Sequence, residues 1–164
     1  MAYESGGYAE KLGNRFEGRW VVRQMLQMLN EDISSICVEA VGDDEKGVDL
    51  WIERKDGIRE AQQCKGENGV KSDWSMADLS ARGILNHLRD QLIRSELYEF
   101  SLVSTTPATM LRDLSRSARD SSGDAALFYQ DQVQKRSKPH REAFKEFCNY
   151  LDLNPENPVQ LEDA

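Results

Sequence analysis

Alternating hydrophobic and polar residues predict a β-hairpin near the middle of the chain, over residues 47–66. Val48, Leu50 and Ile52 recur at every second position, which is the period of a strand with two distinct faces. A second strand is predicted in the following sequence IREAQQCK. Between the two strands, Lys55-Asp56-Gly57 is typical of a three-residue loop that combines a type I turn with a left-handed glycine.

The length of this loop decides which side chains of the hairpin lie together. With three loop residues, Asp49 lies opposite Gln63, and Lys65 shares their face of the sheet. With only two, Asp49 would lie opposite Cys64 and these polar side chains would be separated. We expect the three-residue loop, and therefore a carboxylate, an amide and an ammonium group that converge at one end of the hairpin.

The flanking segments predict an α/β fold with a central mixed sheet of about four strands and helices around it. Helical spacing of apolar residues predicts a helix over residues 14–29 after an irregular start at residues 1–8, and alternation predicts a strand over Ser35–Val41. After a loop that ends at Asp78, a single helix over residues 79–97, with Ile93 in its buried stripe, leads to a covered strand over residues 99–105. Strand, helix and strand in this order form a crossover unit. Extra C-terminal helices are expected over residues 109–118, 124–134 and 140–151.

Composition restricts the class of protein. A chain of 164 residues suits one domain, and a net charge of -8 argues against coating nucleic acid by bulk electrostatics. It does not exclude a local basic groove. Cysteines and histidines show no CxxC or Cys/His zinc spacing: Cys37, Cys64, Cys148, His87 and His140. Without a signal peptide or a membrane-length apolar run, we expect a reduced, cytoplasmic protein.

Two further patterns each allow two interpretations. Arg15, Arg19 and Arg23 recur every four residues and would form a basic stripe on a helix, either against phosphates or simply as a solvated face. Trp74 stands in a polar loop, either as an anchor packed on the core or as a surface on which a base stacks. For Trp74 we expect the anchor.

The converging hairpin residues suit phosphodiester hydrolysis, which requires a divalent metal and an activated water. Asp49 can supply a carboxylate, the main-chain carbonyl of Cys64 can face the same ion, and Lys65 can stabilise negative charge. Structural explanations compete: a loop-end carboxylate for Asp49 and a surface lysine for Lys65. Glu17 lies three residues after Asn14, the spacing of a helix capping box.

A helix carrying Glu in GNRFEGRW, then Asp in GVDLW, then QCK at a strand end resembles the PD-(D/E)xK nuclease superfamily. The pattern is closest to the Mrr-like branch, in which Gln replaces the second acid. The longer blocks GNRFEGRWVVRQ, EAVGDDEKGVDLWIE and AQQCKG look like the double-stranded-DNA endonuclease domain of bacterial antiphage effectors, of the CBASS and AVAST type. In those effectors the domain is N-terminal to a STAND-type NTPase or a cyclic-oligonucleotide sensor.

This resemblance implies a restriction-endonuclease-like core and assigns roles to individual residues. Asp49 would be the metal carboxylate, Lys65 the catalytic lysine, and Glu17 a helix acid acting through a metal-bound water. Gln63 takes the position of the second acid, where a neutral amide offsets less metal charge than a glutamate. The implied cofactor is Mg²⁺ or Mn²⁺.

The resemblance also implies an activity and partners. We expect a metal-dependent endonuclease of double-stranded DNA, active as a homo-oligomer, with residues 1–151 as the nuclease domain and 152–164 as an acidic linker to a regulatory NTPase or sensor module. Candidate phosphate contacts are Arg15, Arg19, Lys46 and Lys71. One alternative is a catalytically inactive nuclease-like fold that serves as an assembly module. Another is a nuclease that acts on RNA or branched DNA.

Overall fold

The computed structural model describes residues 5–29, 32–66 and 72–155, with side chains from residue 14 onward, and has a mixed α/β fold. The sheet has four strands in the order β1-β2-β3-β4; β1, β2 and β3 are antiparallel neighbours, and β4 runs parallel to β3. The expected mixed four-stranded sheet with flanking helices is thus confirmed. The elements in chain order are α1 (Ser5–Met28), β1 (Ile33–Val38), β2 (Leu50–Arg54), β3 (Arg59–Lys65), α2 (Met76–Ala81), α3 (Ile84–Leu92), β4 (Tyr98–Ser104), α4 (Thr109–Asp120), α5 (Ala125–Leu127), which continues as a π-helical segment (Phe128–Gln134), and α6 (Lys138–Tyr150).

The β2–β3 hairpin closes with the expected three-residue loop. The amide of Arg54 donates to the carbonyl of Ile58 at 2.9 Å, and the amide of Gly57 donates to the carbonyl of Arg54 at 3.1 Å. Gly57 has φ +88°, the left-handed conformation that favours glycine. The ladder ends with Leu50 opposite Gln62. The amide of Asp49 donates to the carbonyl of Gln62 at 3.0 Å, so the expected pairing of Asp49 with Gln63 is not part of the ladder.

The chain divides into two compact units, and the sheet belongs to the first, Met1–Ser72 with Asp90–Thr106. On one face of the sheet, Val48, Trp51 and Ala61 form a buried cluster with Tyr98 and other partly buried residues. The Trp51 and Tyr98 rings meet edge to face, with centroids 5.4 Å apart. Large apolar side chains from neighbouring strands therefore hold the hairpin against β4.

The second unit, Asp73–Arg89 with Pro107–Ala164, is helical in its described part. Trp74 is 1% exposed, its amide donates to the carbonyl of Pro107, and the guanidinium of Arg82 lies 4.7 Å from its ring centroid. Trp74 is therefore a core anchor, and the base-stacking interpretation is wrong because the ring is covered. The rings of Phe128 and Phe144 pack with centroids 5.6 Å apart between the π-helical segment and α6.

Several predicted boundaries are wrong. α1 begins at Ser5, so the described part of the supposedly irregular N-terminus is helical, consistent with the strong helix formers in AEKL. β1 begins at Ile33 rather than at Ser35. The single helix over residues 79–97 is two helices, α2 and α3, separated at Gly83, whose φ of +72° ends the first one. α2 starts at Met76, inside the predicted loop, and Ile93 is 68% exposed instead of buried.

Candidate active site

Asp49 lies immediately before β2 and is joined to the end of β3. Its Oδ2 atom accepts a hydrogen bond from the main-chain N–H of Cys64 at 2.6 Å. The N–H and C=O groups of one strand residue point toward the same side of the strand. The carbonyl of Cys64 is therefore on the Asp49 side, as the proposed pair of oxygen ligands requires.

Glu17 on α1 joins this group. Its pKa is raised above the ordinary 4.5, first by burial and then by the negative charges of Asp49 and Glu39, while the positive charge of Lys65 opposes the shift. The carboxylate of Glu17 is thus within electrostatic range of both Asp49 and Lys65. The capping-box explanation for Glu17 is wrong, because α1 runs uninterrupted from Ser5 and Asn14 does not begin a helix.

The pKa of the Cys64 thiol depends on the same charged groups. Its pKa is raised from 9.0 to about 12, first by burial and then by the negative charges of Asp49 and Glu17, with Lys65 again opposing. This thiol stays protonated at physiological pH and is not a nucleophile. The contribution of Cys64 to the site is its backbone.

Gln63 and Lys65 complete the end of β3. In the register with β4, Gln63 lies opposite Leu102 and Lys65 lies opposite Ser104. Gln63 is 3% exposed, whereas Lys65 is partly buried and is the last residue of β3. The amide at the second-acid position is therefore enclosed, and the ammonium group is the accessible member of the pair.

The loop before Asp49 is anchored by four side chains. Asp44 in the 3-10 turn Gly42–Asp44 accepts hydrogen bonds from Arg59 at 2.8 Å and from Arg94 at 2.6 Å. Its main-chain carbonyl accepts a bond from the indole of Trp51 at 2.8 Å, and the buried Gln91 donates to the carbonyl of Lys46 at 3.2 Å. Although burial alone would raise it, hydrogen bonds from Arg94 and Arg59 lower the pKa of Asp44 from its ordinary 3.8. This network holds the loop that contains Asp44 and Lys46 and that leads directly to Asp49.

The donor set fits a hard divalent cation. Among residues 5–29, 32–66 and 72–155, no three His, Cys, Asp or Glu side chains are grouped so that they could hold a metal by themselves. Mg²⁺, however, takes one or two protein carboxylates and keeps several waters. Asp49 is bonded to the backbone of Cys64, and its charge raises the pKa of Glu17, so two carboxylates are available as candidate ligands for such an ion.

No family model, curated protein or solved structure matches the chain. No helix in its described part is both long and apolar enough to cross a membrane. Function is therefore inferred from the residues of the site.

The predicted phosphate contacts have different surroundings. Arg15 and Arg19 are exposed on α1, whereas Lys46 forms a surface ion pair with Asp43 at 3.5 Å. Lys71 lies outside the described residues. The guanidinium of Arg23 stacks 5.2 Å from the ring centroid of Trp20, so the third arginine of the series takes part in packing on its own helix.

Sequence reasoning missed two features near the site. Glu39, which adopts the unusual φ of +51°, contributes negative charge at Glu17. On the opposite side of β3, the indole of Trp20 donates to Gln62 at 2.7 Å, and Gln62 in turn donates to Glu60 at 2.9 Å. The spacing of three residues between Glu17 and Trp20 is a helical signal that places both near β3, but only the packing of α1 shows which residues they meet.

Proposed function

We propose that the chain is a metal-dependent endonuclease domain that hydrolyses phosphodiester bonds of double-stranded DNA. The observation that carries this proposal is the convergence of two carboxylates and an ammonium group at Cys64. Asp49 is bonded to the backbone of Cys64, and Glu17, Asp49 and Lys65 all act on the pKa of its thiol. Such a group is uncommon for purely structural reasons, because two like charges raise each other's energy.

In this proposal each residue has a distinct task. Asp49 and Glu17 hold Mg²⁺ or Mn²⁺ together with the carbonyl of Cys64; the bound ion supplies charge neutralisation and an activated water. Lys65 stabilises negative charge on the phosphate or orients the water. Gln63 packs beside them and donates no charge, so we expect weaker metal binding than in a site with a second acid there.

The resemblance to the PD-(D/E)xK superfamily supports a place for this domain in bacterial antiviral defence. An effector of that type carries a regulatory NTPase or sensor module after the nuclease and acts when it assembles. Cleavage of a duplex requires two strand cuts, which two copies related by symmetry can provide. Exposed Arg15 and Arg19 on α1 are candidate contacts to the phosphate backbone.

Plasmid cleavage tests this proposal. Concentrated protein, shown to be multimeric by light scattering, is incubated with supercoiled plasmid and Mg²⁺ or Mn²⁺, beside Asp49→Ala and Lys65→Ala. Nicking that requires the metal and is lost in both variants supports the nuclease. Equal background in all three proteins would refute it, and competition with RNA or branched DNA measures substrate preference.

A second candidate function is an inactive nuclease-like fold that serves as an assembly module. The observation that favours it is Gln63, a buried neutral amide where the related signature has an acid. Gln63→Glu distinguishes the two candidates. In a working but weakened site it should increase nicking at low metal concentration, whereas in an assembly module it should leave the background unchanged.

A further inference from the structure

Helix α1 buries polar side chains against the sheet and exposes apolar ones. On its buried side, Gln24 is 4% exposed, and the indole of Trp20 donates to Gln62 of β3. On its other side, four large apolar side chains have exposed fractions between 51% and 77%: Val22, Met25, Leu26 and Leu29, the last in the turn that follows the helix. An amphipathic helix of a globular protein normally does the reverse, so the exposed face of α1 is typical of an interaction surface.

The spacing of this face is that of a seam between paired helices. Its residues follow one another at intervals of four, three and four positions, the alternation by which two helices interlock: Gly18, Val22, Met25 and Leu29. A Cβ added at Gly18 would meet no atom of another element within 4 Å, so a second backbone can approach closely there. Leu26 lies beside the seam and widens it. A second helix with the same spacing would therefore fit this face.

We propose that this face pairs with α1 of a second copy of the chain, with the two helices antiparallel. A two-fold contact is self-complementary, and the same seam on another copy has the required spacing. The choice of occupant also rests on the proposed function, in which two copies make the two strand cuts. Because α1 carries Glu17 of the candidate active site, pairing through this helix brings two such sites to one symmetry axis.

Charge favours the antiparallel direction. Seven residues before Val22, the seam continues to Arg15, which is exposed. In a parallel pair the two Arg15 side chains would lie side by side, and their like charges would repel. In an antiparallel pair centred on Met25 and Leu26, Val22 lies opposite Leu29 of the second copy. The two Arg15 side chains are then at opposite ends of the seam.

The area of the face sets the expected strength of this pairing. At the exposed fractions given above, the four apolar side chains together present roughly 150–300 Å². Two copies would therefore bury roughly 300–600 Å² of apolar surface. Small specific interfaces bury about 1,200 Å² in total, of which a little more than half is apolar. The seam is at the lower end of that range, so we expect a reversible dimer that forms at roughly tens to hundreds of micromolar protein.

Sedimentation velocity of the complete chain in EDTA, from about 5 to about 500 µM, tests this inference. The average mass of the wild type should rise toward that of two chains. Met25→Lys keeps a good helix former at an exposed position and places like charges at the centre of the seam, so it should raise the dissociation constant at least about tenfold. The matched control is Ile93→Lys, because Ile93 is 68% exposed outside α1; it should change the constant less than about twofold.

Disulfide trapping tests the direction of pairing. The exposed Cys37 is replaced by serine in every protein used. A Val22→Cys protein is mixed with a Leu29→Cys protein under mild oxidation. The mixed dimer should exceed either like pair, because a disulfide requires Cα atoms within about 4.4–6.8 Å of each other. An excess of like pairs would contradict the antiparallel arrangement.

Three outcomes would overturn the interface itself. They are a wild type that stays monomeric across the whole concentration range, a Met25→Lys variant with native circular dichroism that associates like the wild type, and equal weakening by Ile93→Lys. Plasmid nicking is measured separately. Dimers without nicking refute only the nuclease, and nicking without this dimer refutes only the interface.

Discussion

Asp44→Asn should weaken the network that holds the Asp49 loop. Asp44 accepts hydrogen bonds from two guanidinium groups, Arg59 at 2.8 Å and Arg94 at 2.6 Å. Asparagine keeps one acceptor oxygen and turns an NH₂ group toward the second guanidinium. One charge-assisted bond and the compensation of two positive charges are therefore lost.

The size of the effect follows from this count of bonds. A hydrogen bond to a charged group contributes about 1.5–3 kcal/mol. Asp44 is 24% exposed, and solvent screening reduces the value toward the lower end of that range. We expect a loss of about 2 kcal/mol in the free energy of unfolding, equivalent to a Tm decrease of about 4–8 °C for a domain of this size.

Urea denaturation followed by tryptophan fluorescence measures this change, and Asp43→Asn is the matched control. Asp43 is in the same turn, is 84% exposed, and pairs only with Lys46 among the described ion pairs. Its replacement should alter stability by less than about 0.5 kcal/mol. If Asp44→Asn is as stable as Asp43→Asn, the two arginines do not hold the loop through Asp44.

The same pair of variants gives a dependence on pH. The folded-state pKa of Asp44 lies below the ordinary 3.8, so its stabilisation is fully present well above pH 3.8 and is lost as the pH falls through the folded value. The stability difference between wild type and Asp44→Asn should be constant from pH 7 to about pH 5 and decrease below pH 3.8. A difference that grows on acidification would contradict the assigned direction.

Three further outcomes are expected. Gly57→Ala should lower the free energy of unfolding by about 1 kcal/mol in urea denaturation, because φ is +88° and no other group lies within 4 Å of an added Cβ. Gly57→Asn should lower it less, and a Gly57→Ala variant as stable as the wild type would contradict the left-handed turn. At pH 8 a thiol reagent should label the exposed Cys37 rapidly. Cys64 and Cys148 should react slowly, because both are buried and their pKa values are raised to about 12 and about 11 respectively. Rapid labelling of all three cysteines in the native protein would contradict this. Trp74→Ala should cost about 3–5 kcal/mol, measured by thermal denaturation, and a loss below about 1 kcal/mol would contradict its role as a core anchor.

Local features of the fold could be predicted from sequence. The hairpin follows from a period of two on either side of Lys55-Asp56-Gly57, and the turn itself sets the register from Glu53 opposite Arg59 to Leu50 opposite Gln62. Counting back in step fails at Asp49, which lies outside the ladder and donates its amide to the carbonyl of Gln62. Parallel pairing of β3 with β4 follows from the long connection between them. In these cases the local sequence pattern and the length of the connection between strands are enough to predict the pairing.

The errors arise where the backbone leaves a regular pattern or where distant elements meet. The apolar period continues through Gly83, so the sequence does not reveal that the chain turns left-handed there and divides the helix. The proximity of Glu39 to Glu17 and the bond between Trp20 and Gln62 depend on how α1 packs against the sheet. Helix spacing can predict which residues share a face of α1, but it cannot predict their partners.

The central claim is that Asp49 and Lys65 act together in one metal-dependent site. Its most direct test is a double-mutant cycle on the rate of Mn²⁺-dependent plasmid nicking, with Asp49→Ala, Lys65→Ala and the double variant. Residues that act as a unit are strongly non-additive. We predict that each single variant loses at least about 100-fold in rate and that the double variant loses little more than either. Losses that multiply in the double variant, or nicking at the wild-type rate in either single variant, would contradict the account.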